Sequence, residues 1–446
     1  MEVKTDRVKL ASPLPWISDA GPAGFVTELS EQQLTLQVHE SISFSENQMT
    51  IKVILSQTQS FLFSGTLQSS SGKDQVQLLL TDVEQIHQAR DLLGQIRKSQ
   101  HIELCRRQDV EASDRFTGFE RVHFIPEALP NSSIDRLDTK VSFLGGNFHY
   151  PILITGMTGG VDQGTEINRR LAAAAAKFRI PMGIGSQRIA LENPAYADIF
   201  HVKRWQPDVF LIGNLGFAQL LQDHYLELCE QAVDMIQADA LAIHLNVLQE
   251  AVQVEGDRHF DGVLERLHLV CEKLRVPVMI KEVGSGISPN TCLRLRDAGV
   301  ASIDIGGRGG TSWGYIEGLR SASQETQSLG KTFRDWGIPT AYSLASVRSQ
   351  LKDFPLVATG GIRDGLTVAK AVALGANMVG IGLPLLRAAL QSEEAPQQVL
   401  ETFVRGLKVT MLATGSQSLD QLEQHLSLGL PLESNFEAWV RSKSFY

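Results

Sequence analysis

Eight short apolar runs recur between residues 151 and 381, and a segment of helical length follows each of them. Runs of this length that are rich in Leu, Ile and Val are typical of buried strands. Eight alternating strand–helix units predict an α/β fold, namely a closed (β/α)8 TIM barrel. A doubly wound open sheet is the alternative, but no Gly-x-Gly-x-x-Gly motif follows an early strand. The eight runs are residues 151–155, 182–185, 209–213, 241–244, 278–281, 302–305, 356–359 and 378–381.

The sixth unit is longer than the others, with about 50 residues between Ile305 and Leu356. This insertion is rich in Ser, Gln and Gly. We expect it to form a lid or an oligomer contact.

Residues 1 to about 90 differ in pattern from the rest of the chain. β-like runs at residues 34–38, 49–55, 61–63 and 76–80 alternate with turn formers, among them Ser64-Gly65 and the Ser-rich residues 69–72. Pro13, Pro15, Gly21, Pro22 and Gly24 punctuate the start. We expect residues 1–90 to form a small β-rich module without a catalytic constellation, and residues 91–446 to form the barrel domain.

A helical pattern extends from Thr81 to Arg107 and carries the cationic cluster Arg97, Lys98 and His101. Such a cluster near a helix end is most often a solvated face that interacts with the helix dipole. The residues alone therefore favour a surface role for it.

The composition limits the classes of partner. A formal net charge of -9 argues against general nucleic-acid binding, which needs clustered Lys and Arg. The four cysteines show no metal-binding spacing and indicate a reduced, cytosolic protein. No signal peptide and no membrane-spanning run is predicted, so we expect a cytoplasmic protein that does not bind membranes.

Several polar residues are concentrated directly after the fourth predicted strand. The apolar run 240–243 is followed by His244, Asn246, Gln249 and Glu250 with little apolar material between them. The carboxyl ends of barrel strands carry the chemistry of this fold. This stretch is either the edge of an active site or an ordinary polar loop with a helix cap.

Glycine-rich loops follow the sixth, seventh and eighth strands, at residues 306–310, 360–361 and 380–382. Glycine lets backbone N–H groups approach a phosphate closely, and this fold often binds phosphate after strands seven and eight. Lys281 ends a buried strand, where an ammonium needs an anionic partner. A reduced flavin ring, a Schiff-base substrate and Glu282 are the candidates. Together these features favour an FMN-sized cofactor.

Seven motifs in a fixed order resemble the type 2 isopentenyl-diphosphate isomerases, an FMN-dependent family. The resemblance covers about residues 97–446. The motifs are Arg-Lys-x-x-His at 97–101, Thr-Gly-Phe-Glu-Arg at 117–121, Met-Thr-Gly-Gly at 157–160, Gly-Ser-Gln-Arg at 185–188, His-Leu-Asn-x-Leu-Gln-Glu at 244–250, Lys-Glu-Val-Gly at 281–284 and Gly-Gly-Thr-Ser-Trp at 309–313.

The resemblance implies interconversion of isopentenyl and dimethylallyl diphosphate, a 1,3-proton shift without net redox change. It implies FMN that is kept reduced by NADPH or another reductant, and Mg2+ bound through the diphosphate. Homotetramers or octamers are expected.

The resemblance also implies roles on the substrate side. Arg97 and Lys98 would bind the diphosphate, which replaces the surface role favoured above. Gln249 would be the catalytic amide nearest the allylic carbons, and Glu250 the Mg2+ ligand. The further implied substrate contacts are Ser186, Gln187, Arg188, His244 and Asn246.

The implied flavin-binding residues follow most of the strands. They are Met157, Thr158, Gly159, Ser186, Asn214, Lys281 and Thr311, with Gly361, Ile362, Arg363, Gly382 and Leu383 at the phosphate. Many members of the family have Ser where this chain has Gly306, so one flavin hydrogen bond could be missing or made by backbone. Residues 1–90 have no counterpart in the family; a PilZ-like or other small-barrel module and an inert appendage are both compatible with them.

Two other functions compete with the isomerase. An FMN-dependent 2-hydroxyacid oxidase or dehydrogenase would use a similar barrel, but it needs a His base and an Arg pair for a carboxylate. A flavin-binding sensor without catalysis would be controlled by the N-terminal module. Gln249 and Glu250 fit proton-shift chemistry better than either alternative.

Overall fold

The computed structural model describes residues 8–18, 21–29, 33–38, 48–54, 60–69, 75–79, 83–157, 162–254, 256–321 and 323–427. The chain divides into two units. The first unit comprises residues 1–103, 252–256 and 315–331, and the second comprises residues 104–251, 257–314 and 332–446.

Six antiparallel strands form a closed barrel in the first unit. They are β1 (Val8–Ser18), β2 (Gly21–Leu29), β3 (Gln33–Val38), β4 (Gln48–Ile54), β5 (Ser60–Ser69) and β6 (Gln75–Leu79). The strand order is β1-β2-β3-β6-β5-β4, and pairing of β1 with β4 closes the barrel. The β-rich structure predicted for this part of the chain is confirmed.

One local expectation for this module was wrong. Ser64-Gly65 is not a turn, because both residues lie inside β5, where Gly65 pairs with Met49. Pro13 and Pro15 lie inside β1. Register shifts in β1 on either side of Leu14–Trp16 give the bulges at which a strand accommodates proline.

Helix α1 (Val83–Arg107) follows this barrel and confirms the helix expected at residues 81–107. Leu92 and Ile96 are buried, as its helical spacing of apolar residues requires. The expected domain boundary near residue 90 falls inside α1, and the assignment of residues 1–90 as a module of their own stays a prediction.

Three short strands precede the large barrel: β7 (His123–Phe124), β8 (Val141–Phe143) and β9 (Gly146–Phe148). Eight parallel strands then close on themselves, each paired with the next and the last with the first. They are β10 (Ile152–Ile154), β11 (Met182–Gly183), β12 (Leu211–Gly216), β13 (Ala240–Leu245), β14 (Val278–Glu282), β15 (Ser302–Asp304), β16 (Leu356–Thr359) and β17 (Met378–Ile381). All eight predicted strands and the TIM barrel are confirmed.

The hairpin formed by β8 and β9 covers the amino-terminal end of this barrel. Phe143 and Phe148 pack in one cluster with Ala240, Met279 and Met378 from the strands. Apolar packing at this end places the polar strand ends, and with them the candidate site, at the carboxyl-terminal end.

Thirteen further helices lie along residues 162–413. They are α2 (Asp162–Phe178), α3 (Arg188–Glu192), α4 (Phe217–Leu220), α5 (Tyr225–Ile236), α6 (Val247–Val252), α7 (Val263–Lys273), α8 (Pro289–Asp297), α9 (Trp313–Arg320), α10 (Gln324–Thr332), α11 (Thr340–Gln350), α12 (Gly365–Ala373), α13 (Leu383–Ala389) and α14 (Glu394–Ala413). The insertion after β15 consists of α9, α10 and α11. A last strand, β18 (Leu426–Ser427), pairs with β7.

Among the helices in the described residues, none is both long enough and apolar enough to cross a lipid bilayer.

Helices α12 and α14 approach each other at a pair of glycines. A Cβ atom on Gly406 would lie 3.0 Å from the Cα of Gly365, and one on Gly365 would overlap the main chain of Phe403. A side chain at this crossing would force the two helices apart.

We therefore expect Gly365→Ala to destabilise the barrel by about 2 kcal/mol, the usual scale of overpacking in a tight interface. Denaturant unfolding of the full chain measures the change. Val409→Ala on α14 is the control, because Val409 is 50% exposed and its truncation is expected to change stability little. Equal stability of G365A and the unsubstituted protein would contradict this account of the crossing.

Candidate active site

A cavity opens at the carboxyl-terminal end of the large barrel, between the loops that follow β10, β14, β15, β16 and β17. Eight of the predicted flavin-binding residues line it: Met157, Lys281, Thr311, Gly361, Ile362, Arg363, Gly382 and Leu383. The strand ends thus bring together residues that are up to 226 positions apart in the chain (157 to 383).

Glycine allows the loops after β14, β15 and β16 to contact one another. A Cβ atom on Gly310 would lie 2.5 Å from the main-chain nitrogen of Gly361. Gly306 has a left-handed φ of +50°, and a Cβ atom there would overlap the main chain of Glu282. Both positions need glycine in this backbone. A serine at position 306 would require the β14 and β15 ends to move.

Lys281 is 7% exposed at the end of β14. Its ammonium donates a hydrogen bond to the main-chain oxygen of Glu282, at 2.9 Å. The residue that pairs with it on the neighbouring strand is Asp304, which is fully buried. Burial raises the pKa of Asp304, and the positive charge of Lys281 opposes that rise. Asp304 therefore places a buried carboxyl group, shifted by burial toward its neutral form, beside Lys281 in the sheet.

The Glu282 carboxylate organises the loop after β14. Its Oε2 atom accepts backbone hydrogen bonds from Val283, Gly284 and Ser285, at 2.7, 2.7 and 2.5 Å. Burial raises the pKa of Glu282 to about 7, while these N–H groups and Lys281 act in the opposite direction. An ion pair between Lys281 and the Glu282 carboxylate is not formed: Lys281 contacts the main-chain oxygen of Glu282, and the carboxylate binds the backbone of the loop.

His244 is held at the end of β13 by Asn214 from β12. The Asn214 amide nitrogen donates to the Ile184 oxygen at 2.8 Å, so Oδ1 faces the His244 ring, whose Nδ1 lies 2.8 Å away. This geometry makes Nδ1–H the donor. Burial, followed by the charge of Lys281, lowers the pKa of His244 to about 3. The imidazole is therefore neutral at physiological pH.

Asn246 connects the two functional side chains predicted at the start of α6. Its Nδ2 donates to Glu250 Oε1 at 2.7 Å and to Gln249 Oε1 at 3.3 Å. Glu250 Oε2 also accepts from the Asp257 backbone N–H, at 2.9 Å. The Asn246 Oδ1 atom is buried and has no hydrogen-bond partner, which leaves one acceptor for a ligand or a water.

Arg188 belongs to the same group of charges. It donates to Glu192 at 2.8 Å. Burial acts to lower its pKa, but Glu192, Asp257 and Glu250 together hold the pKa of Arg188 above its usual value. The structure thus brings the predicted substrate residue Arg188 near the predicted metal ligand Glu250.

Gln187 and Ser186 precede α3 in the loop after β11. Gln187 is fully buried; its Nε2 donates to the Ala232 oxygen and its Oε1 accepts from the Asn214 N–H. Both the nitrogen and the oxygen of its carboxamide are therefore already hydrogen-bonded to main-chain groups. Ser186 is half-buried. Asn214 lines a space of about 10 Å³ that shares Lys281 with the main cavity.

Thr158 and Gly159 fall outside the described residues. Arg97 and Lys98 lie in the part of α1 that belongs to the first unit, and their role in diphosphate binding stays a prediction.

A buried charge cluster accompanies Arg97 within the first unit. Glu317 is 1% exposed; it lies 2.9 Å from His101 Nε2 and accepts from Arg320 Nε at 2.8 Å. Burial lowers the pKa of His101, Glu317 raises it, and Arg320 and Arg97 lower it further. The sequence did not single out Glu317, which stands in a helical segment without a recognisable motif.

Several residues of the main cavity were missed as functional candidates. Thr155 follows β10, Thr359 ends β16, Trp313 begins α9, and all three line the cavity. The two threonines could have been found as polar residues at strand ends. Within the described residues, no group of three or more His, Cys, Asp or Glu side chains is arranged to hold a metal ion.

Comparison with known proteins gives three kinds of match. The family model described as FMN-dependent dehydrogenase matches residues 229–428. An isopentenyl-diphosphate delta-isomerase of Nostoc sp. is 44% identical over 334 residues, covering 75% of this chain and 95% of that protein. The Archaeoglobus fulgidus isopentenyl-diphosphate delta-isomerase is 43% identical, covering 77% of this chain and 97% of that protein.

Solved structures of mandelate oxidase share the fold. Mandelate oxidase with 3,3-difluoro-2-hydroxy-3-phenylpropionic acid aligns with a TM-score of 0.51 at 17% identity, covering 74% of this chain and 95% of that chain. A mandelate oxidase variant with the monooxide FMN adduct aligns with a TM-score of 0.51 at 21% identity, covering 71% and 90%. At these identities the likeness concerns the fold alone.

The neutral state of His244 makes stability depend on pH. An unfolded chain binds a proton at His244 below about pH 6.5, whereas the folded chain does so only near pH 3. The contribution of His244 to the free energy of unfolding is therefore complete above about pH 6.5. It is lost progressively as the pH falls from about 6.5 toward about 3. We expect the unsubstituted protein to lose up to about 2 kcal/mol more than His244→Gln between pH 7 and pH 5.

Urea unfolding at the two pH values measures this difference. His224→Gln is the control, because His224 is exposed and its removal is expected to leave the pH dependence unchanged. An identical pH dependence for H244Q and the unsubstituted protein would show that His244 is not buried in its neutral form.

Proposed function

Because the chain belongs to the family of isopentenyl-diphosphate delta-isomerases, we propose that the barrel cavity and the residues His244–Glu250 form one active site in which FMN and the diphosphate substrate meet. The enzyme interconverts isopentenyl and dimethylallyl diphosphate. The observation that carries the placement of the site is the convergence of eight predicted flavin residues on the cavity at the strand ends.

FMN is the cofactor of this enzyme. The donor set of the cavity fits it: Arg363 and the glycine loops at residues 360–361 and 380–382 would hold the phosphate, because they combine a fixed cation with close backbone approach. Met157 and Thr311 would lie along the ring. When bound and reduced, FMN would supply proton-transfer chemistry beside the allylic carbons.

Lys281 would interact with the negatively charged edge of the reduced flavin ring. Its ammonium is almost fully buried, so its attraction to an anion is screened less than at the surface. When no anion is near, the ammonium donates to the main-chain oxygen of Glu282.

His244, Asn246, Arg188 and Gln249 would bind and orient the substrate. Arg188 supplies positive charge for the diphosphate, and the unpartnered Asn246 Oδ1 and the neutral His244 supply polar contacts. Gln249 would lie beside the allylic carbons, where an amide can orient a group without taking its proton. Ser186 and Gln187 would support this side, Gln187 through the backbone that it holds.

Glu250 would hold Mg2+ together with the diphosphate oxygens. A hard cation prefers oxygen ligands and keeps several of its waters, so one carboxylate and two phosphate oxygens suffice. Asn246 and the Asp257 N–H orient the carboxylate of Glu250. Asn246 thereby couples the metal ligand to Gln249.

Further parts of this function rest on the family. We propose NADPH as a reductant of the flavin, diphosphate binding by Arg97 and Lys98, flavin contacts by Thr158 and Gly159, a cytoplasmic location, and a homotetramer or octamer. The chain covers 95% of the length of the Nostoc relative, which supports transfer of these properties as a group.

The neutral, weakly basic state of His244 argues against the alternative function of a 2-hydroxyacid oxidase. A general base works best when its pKa lies near the operating pH. Burial lowers the pKa of His244 to about 3, and its Nδ1 is held by Asn214. The imidazole is therefore a poor base for the oxidation of a 2-hydroxyacid.

An anaerobic assay with isopentenyl diphosphate, FMN, Mg2+ and NADPH tests the isomerase function. We expect dimethylallyl diphosphate to accumulate without NADPH consumption in proportion to product, since the reaction is redox-neutral. Product analysis by chromatography and NADPH absorbance measure both quantities. A protein that binds and reduces FMN but yields no dimethylallyl diphosphate, or that oxidises 2-hydroxyacids, would overturn the assignment.

Glu250→Gln tests the metal role. We expect turnover to fall by about a hundredfold or more, because a neutral amide is a poor Mg2+ ligand, while the bound FMN content stays unchanged. The Mg2+ concentration needed for half-maximal activity is expected to rise. Glu265→Gln, the same change at an exposed position of α7, is the control. Loss of FMN from E250Q would place Glu250 in the cofactor site instead.

A further inference from the structure

We propose that Glu111 is a positioning residue that holds the Arg363 guanidinium for the FMN phosphate and thereby sets the preference of the site for FMN over riboflavin. This inference rests on the proposed function, which places the phosphate at Arg363. Glu111 lies 252 positions before Arg363 in the chain, and no sequence motif connects the two residues.

Arg363 is held on two sides. Its Nη1 donates to the main-chain oxygen of Ile362 at 2.8 Å, and its Nη2 forms an ion pair with the Glu111 carboxylate. A guanidinium has further N–H donors beyond these two. The Arg363 side chain is 35% exposed and lines both the main cavity and an adjoining cavity of about 530 Å³. Its remaining donors are therefore available to an anion.

Glu111 is a rigid support for this contact. Its side chain is only 9% exposed, and its main chain pairs with Thr311 in an antiparallel bridge. Ala112 N–H donates to the Gly310 oxygen at 2.9 Å, and Arg334 Nε donates to the Glu111 oxygen at 2.8 Å. The carboxylate is thus attached to the same loop after β15 that lines the main cavity.

Two other carboxylates of the adjoining cavity are committed elsewhere. Asp364 Oδ1 accepts from the Thr367 N–H at 2.7 Å and caps α12. Glu120 Oε1 accepts from the Thr117 hydroxyl at 2.8 Å. Glu111 is therefore the carboxylate of this cavity that acts on Arg363.

Glu111 is expected to increase the affinity for FMN by limiting the flexibility of the Arg363 side chain, and not by attracting the phosphate itself. A carboxylate repels a phosphate, so Glu111 does not favour FMN by direct interaction. Without Glu111, the long side chain of Arg363 faces a cavity of about 530 Å³ and loses its fixed direction. Ordering that side chain again would reduce the affinity for phosphate. Riboflavin lacks the phosphate and would not report this loss.

The test compares FMN with riboflavin. Full-length protein stripped of flavin is titrated with each compound, and flavin fluorescence gives the dissociation constants. We expect Glu111→Ala to weaken FMN by roughly tenfold, the scale of a hydrogen bond to a charged group, with riboflavin unchanged. Glu111→Gln keeps an acceptor for Arg363 and is expected to restore most of the FMN affinity. Glu120→Ala, in the same cavity, is the matched control.

Two more variants separate this inference from the proposed function. Arg363→Ala is expected to reduce the FMN preference, and adding Glu111→Ala to it is expected to have no further effect, because the two residues act as a unit. Glu111→Asp keeps the charge but shortens its reach, and it serves if E111A does not fold; a selective loss of FMN is again expected.

The outcomes that overturn the proposal are distinct. Equal weakening of FMN and riboflavin in E111A and E111D would show a general structural role. Unchanged or tighter FMN binding would show that repulsion outweighs positioning. An unchanged preference in R363A would refute the phosphate site itself, and the inference about Glu111 with it.

Discussion

The buried ammonium of Lys281 is the charge on which the electrostatics of the site depend. An unpaired ion in a protein interior costs several kcal/mol, so the barrel must compensate it before any ligand arrives. The main-chain oxygen of Glu282 accepts a hydrogen bond from the ammonium, and the carboxyl group of Asp304 lies in register on the neighbouring strand. The same positive charge helps to keep His244 neutral. Parallel pairing of β13, β14 and β15 thus places a cation, a buried carboxyl group and a neutral imidazole in one layer of the barrel.

The end of the cavity that Arg363 lines depends on backbone packing as much as on charge. Gly306 and Gly310 let the loop after β15 lie against Glu282 and Gly361. That loop also pairs with the segment that carries Glu111. A side chain on either glycine would therefore move the support of Arg363 together with the floor of the cavity. The loop after β15 thus determines both the close packing at this end of the cavity and the position of the Glu111–Arg363 ion pair.

Much of this could be predicted from the sequence, because a buried parallel strand is a local pattern and the strand ends must meet at one end of a barrel. Contacts that join distant parts of the chain could not be predicted. Glu111 and Arg363 share no motif, and the hydrogen bond of the buried Gln187 amide goes to the Ala232 oxygen, in a helix 45 residues later. Pro13 lies within a strand only because a bulge accommodates it. The metal and substrate roles carried over from the family stay predictions.

The shared fold with mandelate oxidase shows how little the barrel itself decides about chemistry. What decides is the state of the groups at its mouth. His244 is neutral and held by Asn214, while Asn246 directs its amide at Gln249 and Glu250. These groups can bind and orient a substrate, but a neutral amide and an imidazole whose pKa is lowered to about 3 are poor proton carriers at neutral pH. A proton shift at this end of the site would therefore depend on the cofactor that we propose for the cavity.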